Sequence, residues 1–259
     1  MNAADAALLA TLPGLVFQAV LLFCRMGAAV MLLPGLGESE VPATIRLSLG
    51  LLLTLLLLPL LAPLLPAAPE TPGEVLRLLG LELLVGIWLG GLARGLVLAL
   101  AQAGQVMGSL IGLTTPLQGD AALGNQSTPL GRGLGFAATV LVLSTGLYAL
   151  PLGALVNSYG VLPAGAPFPA GLAAEAVTAM VTESFSLALR LAAPFILAGV
   201  LFNAGMGLIA RVAPQVQVFV VAAPAQIVAG LGLLLLLLPA ILSVWHDAMQ
   251  RGFSALPGH

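Results

Sequence analysis

Long apolar runs alternate with short polar breaks along almost the whole chain, and their lengths set the expected elements. A run of about 20 apolar residues is enough to cross a bilayer as a helix. The first run covers residues 12–33, with Cys24 and Arg25 inside it. A turn with two acids follows at 34–42, then a leucine-rich run at 43–65 with Arg46 near its start. After a polar loop at 66–74, a third run begins near Val75 and has no clear stop until Thr114-Thr115-Pro116. As one helix over 75–113 it would be roughly 58 Å long, against a hydrocarbon core of about 30 Å. It must therefore project from the membrane, bend back or break around Gln102–Gln105.

The longest polar stretch is 114–132. A fourth apolar run lies at 133–156, and a Pro/Gly-rich connection at 161–171 has little helix potential. The fifth run, 172–202, is interrupted by Glu183, Arg190 and Pro194, and the sixth covers 216–245, leaving a short mixed tail. Between the fifth and sixth lies the stretch 203–224, with Asn203, Gly205, Gly207, Arg211, Pro214, Gln215 and Pro224. Pro214 lacks a backbone donor and pushes Ala213 away from helix, so this stretch reads as a polar, bent connection. About six apolar segments in one domain, 1–259, predict an all-α integral membrane protein of helical hairpins with long, bent helices.

Composition sharpens this picture. Of 259 residues, 60% are hydrophobic and 7% charged, where soluble domains carry about 25% charge. A net charge of -2 gives no reason to expect nucleic acid. All eight basic residues are arginine, which excludes a catalytic lysine. Cys24 is alone, and both histidines, His246 and His259, lie near the C-terminus, so no metal or other cofactor is expected. No hydrolase or P-loop motif is present, and no catalytic residues are assigned. The few arginines lie inside the runs or at both ends, so charge does not orient the chain.

The charges read as intramembrane are Arg25, Glu82, Arg94, Glu183, Arg190 and Arg211. They either mark a pathway or pair, with one another or with another subunit. Arg25, Arg94, Glu183 and Arg190 are the candidates for intramembrane ion pairs, the last two seven residues apart on one face. Glu82-x3-Gly86-x3-Gly90 lies on one face of the third run, and Gly104-x3-Gly108 continues the small-residue spacing. Such spacing suits close helix packing, either generic or at a subunit interface.

Taken in order, Arg25-Met26-Gly27, Leu33-Pro34-Gly35-x-Gly37, Glu82-x3-Gly86-x3-Gly90, Gly104-Gln105-x2-Gly108 and Asn203-x-Gly205-x-Gly207-Leu208-x2-Arg211-x2-Pro214-Gln215 resemble the family of the flagellar biosynthetic protein FliR and its virulence-type secretion counterparts. The resemblance implies a non-enzymatic subunit of the type III export gate. One copy would join several copies of the flagellar P and Q membrane subunits in a helical, conical assembly, partly above the inner-membrane plane. The flagellar export switch protein, the B component, would dock on it, unfolded export substrates would pass through it, and inner-membrane lipid would surround it at the flagellar basal body. Glu82, Gly86, Gly90, Asn203, Gly205, Gly207, Arg211, Pro214 and Gln215 would then lie at subunit interfaces. The family's pore plug maps onto 107–120, with Met107, Leu110, Ile111, Leu113 and Leu117 as sealing residues; Gly108–Asp120 lacks the phenylalanine that relatives often carry there. The rival reading from the residues is a self-contained secondary transporter with a site at a broken helix near Arg211–Pro214, but no second copy of that pattern occurs in the chain.

Overall fold

The computed structural model describes residues 3–38, 40–113, 128–212 and 218–258, with side chains left aside for 3–10 and 218–221. Among them, regular structure is entirely helical. The elements are α1 (Ala3–Val30), α2 (Ala43–Leu61) with a short 3-10 turn at Ala62–Leu64, α3 (Pro72–Ile111), α4 (Pro129–Ser144), α5 (Ala149–Val161), α6 (Ala170–Val212) and α7 (Val218–Ser254). Five helices are long and apolar enough to span a membrane, or six if α4 and α5 count as one broken span. The all-α, membrane-type architecture therefore stands.

Several elements differ from the hydropathy reading. α3 runs unbroken through Gln102 and Gln105 for 40 residues, about 60 Å. Neither glutamine interrupts the backbone ladder, since glutamine is a good helix former. The helix stops at Gly112, which has a φ of +85°; Leu113 N–H bonds to the Gly108 carbonyl at 3.0 Å and Gly112 N–H to the Ser109 carbonyl at 3.3 Å. That pair of bonds is the glycine-terminated cap that closes many helices.

The fourth apolar run is two helices, α4 and α5, bent by 68°. Gly146, at φ +76°, supplies the left-handed residue between them. α4 begins at a Thr-Pro start: the Thr128 hydroxyl accepts the Gly131 N–H at 3.0 Å, and Pro129 occupies the first helical position, where its missing N–H costs nothing. α6 continues for 43 residues past Pro194 and through Asn203–Arg211. Of the stretch 203–224 read as a polar connection, 203–212 and 218–224 are helix, and 213–217, with Pro214 and Gln215, lie outside the described residues. α7 extends to Ser254, so residues 246–254 are helix rather than tail.

Packing divides the chain into two compact units. The first comprises Met1–Gly95, Val142–Met180 and Gln250–His259; the second comprises Leu96–Leu141 and Val181–Met249. In the first, α1 and α2 form a hairpin, crossing closely where Gly50 meets Gly27. Its core gathers Leu21, Leu22, Met26, Leu78, Val85, Leu89, Leu155 and Tyr159, with Trp88 set edge-on to Phe168 at 5.8 Å. In the second, α3 meets the start of α4 where Gly104 faces Gly131. There the Gln105 carboxamide oxygen accepts the Thr128 N–H at 2.6 Å.

Burial is uneven. Of the most apolar windows, that of α3 is 61% buried, that of α2 17% and that of α7 11%. Leu52, Leu56 and Leu60 on α2 and Leu235 and Leu236 on α7 are exposed. Large apolar surfaces of this kind mark contact with lipid or other chains.

Candidate functional site

The most elaborate polar site lies in the first unit, around Arg25 on α1. Arg25 and Glu82 are each 1% exposed. A lone charge in such a place is costly, so the geometry must compensate. The guanidinium engages the carboxylate with two parallel bonds, Nε to Oε2 at 2.7 Å and Nη2 to Oε1 at 3.0 Å, the strongest form of this pairing. Its Nη1 donates to Ser158 Oγ at 3.1 Å, and that hydroxyl donates onward to the Leu155 carbonyl at 2.6 Å. Nη2 also reaches the Leu162 carbonyl at 3.0 Å. Gly165 N–H donates to Glu82 Oε1 at 3.3 Å. Finally, Arg25 Cζ lies 3.9 Å from the centre of the Tyr159 ring, within cation–π range.

This site ties α1, α3, α5 and the segment after α5 into one network. It offers no nucleophile with an adjacent base and reads as a structural clasp. The sequence singled out Arg25 and Glu82 but not their partnership. Ser158, Tyr159 and Gly165 carried no signal: the first two lie just past the fourth apolar run at 133–156, and Gly165 lies in the Pro/Gly-rich connection at 161–171.

The face Glu82-Gly86-Gly90 points into the chain. A Cβ on Gly86 would run into the Arg25 carbonyl, and one on Gly90 would lie 2.8 Å from the Ala29 carbonyl and 3.0 Å from Leu32 Cβ. The expectation that Glu82, Gly86 and Gly90 meet another subunit is therefore corrected: α1 of the same chain occupies that face.

Arg94 finds a partner that the sequence reading missed. Its Nη2 lies 3.3 Å from Glu38 Oε2, and Nη1 reaches the Gly37 carbonyl at 3.4 Å. Glu38 also accepts the Gly35 N–H at 3.3 Å, so the turn after α1 is fastened to α3. Glu183 and Arg190, by contrast, do not pair with one another. Seven residues along a helix is about 10.5 Å of rise, beyond the reach of a direct contact. Both side chains are exposed.

The remaining candidates fall into two groups. Met107 and Ile111 are buried in the last turns of α3, and Ile111 abuts Gly230 of α7. They belong to the helix packing of the second unit and not to a loop, because α3 outlasts the point where the loop was placed. The Leu110 carbonyl accepts from Gln226 Nε2 at 2.8 Å. Leu110 and Ile111 line a small apolar recess of ≈ 90 Å³ with Phe195, Gly199 and Phe202. Leu113 follows the cap, and Leu117 lies outside the described residues. On α6, Asn203 donates to the Gly199 carbonyl at 2.9 Å, and Gly205 and Gly207 face open space. Arg211 is exposed in the last turn.

Comparison with known proteins gives this architecture relatives. The chain is 36% identical to the flagellar biosynthetic protein FliR of Caulobacter vibrioides over 236 residues, 91% of this chain and 94% of that protein. It is 30% identical to the flagellar biosynthetic protein FliR of Escherichia coli K12 over 237 residues, 90% of this chain and 88% of the other. It is 31% identical to the Yop proteins translocation protein T of Yersinia pestis over 154 residues, 58% of each chain. The sequence profile of bacterial export proteins, family 1, matches residues 16–252. That match takes in the Arg25–Glu82 clasp, the glycine face that α1 covers and the whole of α2 to α6. The chain belongs to the bacterial export proteins, family 1.

Proposed function

We propose that this protein is an inner-membrane subunit of the flagellar type III export gate and helps to form and close the channel through which unfolded flagellar proteins leave the cytoplasm. The observation that carries this reading is similarity over about nine tenths of both chains to proteins named for flagellar biosynthesis. The virulence-type relative matches over 58% of its length, which makes a virulence apparatus the second reading. The role requires no catalysis by this chain. Residues 1–259 act as one export domain, with one copy joining several copies of the P and Q subunits and the switch protein docking on the assembly. Asn203, Gly205, Gly207, Arg211, Pro214 and Gln215 serve as a subunit contact. Helices of 40 and 43 residues exceed a bilayer's thickness, which supports an assembly partly above the membrane plane.

Native mass spectrometry tests the proposal, on tagged chain expressed from its own operon and extracted in mild detergent. The expected species holds one copy of this chain and several copies of two small membrane proteins. A stable monomer or homodimer overturns it, and would favour the transporter reading near Arg211.

Closure of the channel falls, in this proposal, to apolar residues beyond the end of α3, Leu113 and Leu117, by a dewetted constriction. Deleting Gly112–Gln118 is expected to raise the ion permeability of membrane vesicles while the complex still assembles. Unchanged permeability in an assembled complex removes the plug assignment.

A further inference from the structure

One face of α6 carries charges that no other described residue matches. Glu183, Ser186, Arg190, Ala193 and Leu197 recur at alternating spacings of three and four, and every one is exposed. That spacing places them on one continuous face of the helix. The opposite face of the same helix is already used, since Ser184, Leu187, Leu191 and Phe195 are buried. Neither Glu183 nor Arg190 makes an ion pair with another described residue. Facing lipid, each charge would cost about 2.5–3.5 kcal/mol near the bilayer centre. Small residues at 186 and 193 leave room for a second backbone to approach.

We infer that this face of α6 docks a helix of another membrane subunit, one bearing a basic side chain opposite Glu183 and an acidic one opposite Arg190, about two turns apart. Alternating charge along this face fixes the partner's register and direction, because a slip of one heptad would set like charges together. The inference rests on the export-gate reading and names the partner chemistry of one surface within it.

The test uses the intact membrane complex. A photo-crosslinking amino acid replaces Ser186 and, separately, Ala193, and the adducts are mapped by mass spectrometry. The expected adduct is a helix of a different membrane protein with a basic and an acidic residue about seven positions apart. Charge reversals Glu183→Arg and Arg190→Glu are each expected to lower recovery of the intact complex by roughly threefold to thirtyfold, the range of measured polar contacts between membrane helices. Reversing the facing charge on the partner should restore it. Adducts to lipid alone, to a second copy of this chain, or to a helix without those charges overturn the inference. So does rapid labelling of Ser186→Cys by a membrane-impermeant maleimide in the complex, which would place the face in water. Native mass spectrometry of the same preparation separates the failures. A complete complex with lipid adducts removes this inference alone, and absence of any heteromeric complex removes the export-gate reading with it.

Discussion

Arg25→Ala is expected to destabilise the protein by about 3–5 kcal/mol, and Glu82→Ala by a similar amount. Either change leaves the other charge buried, and each partner is 1% exposed. The alanine at 25 also strands Ser158 Oγ and the Leu162 carbonyl, both of which accept from the guanidinium. Lysine at 25 rescues little, because a point charge cannot make the two parallel bonds to Glu82. The informative variant is the double change Arg25→Met with Glu82→Leu. Removing both charges and refilling the volume is expected to be close to neutral, since a buried pair gains little over well-packed apolar groups. Thermal unfolding of the purified complex in detergent, together with the steady-state level in membranes, checks the series. Single variants that melt with the parent would show that Arg25 and Glu82 reach water. A double variant as unstable as the sum of the singles would show that the two act independently.

The second large effect concerns neighbouring glycines on α3. Gly90→Ala is expected to destabilise by several kcal/mol, and Gly86→Ala by at least as much, because the added Cβ meets main-chain atoms of α1 that cannot step aside. Gly91→Ala is expected to be neutral or to stabilise by up to about 1 kcal/mol, since alanine is the better helix former and nothing lies within 4 Å of its Cβ. The two substitutions are chemically identical and sit one residue apart on the same helix, so propensity cancels from the comparison and helix contact remains. Unfolding midpoints of the three variants decide it. Equal behaviour of Gly90→Ala and Gly91→Ala would mean that α1 does not approach α3 as described.

These two predictions could not be written from the sequence, and the reason differs in each case. The motif Glu82-x3-Gly86-x3-Gly90 announced a close contact, but spacing cannot say which helix makes it. Arg25 announced the need for a partner, but Glu82 lies 57 residues away and Ser158 lies 133 away. The break between α4 and α5 was hidden for another reason: hydropathy is nearly continuous across Gly146, and only the backbone angle at that glycine marks the bend. Conversely, α6 looked interrupted because Pro194, Glu183 and Arg190 are poor company for a membrane helix, yet a helix of 43 residues absorbs all three.

What residue order determined by itself was the set of local properties: an all-helical membrane chain, about six apolar stretches, one element too long for one bilayer, and a motif series that placed the chain among export proteins. These depend on side-chain character summed over neighbouring positions, and solvent transfer energies are nearly independent of the rest of the fold. Tertiary structure alone decided which charge met which, which glycine face was filled by the chain's own α1, and which charges, Glu183 and Arg190, were left facing outward. Those outcomes depend on distances between residues far apart in the chain, where a shift of one helical turn exchanges a paired charge for a stranded one.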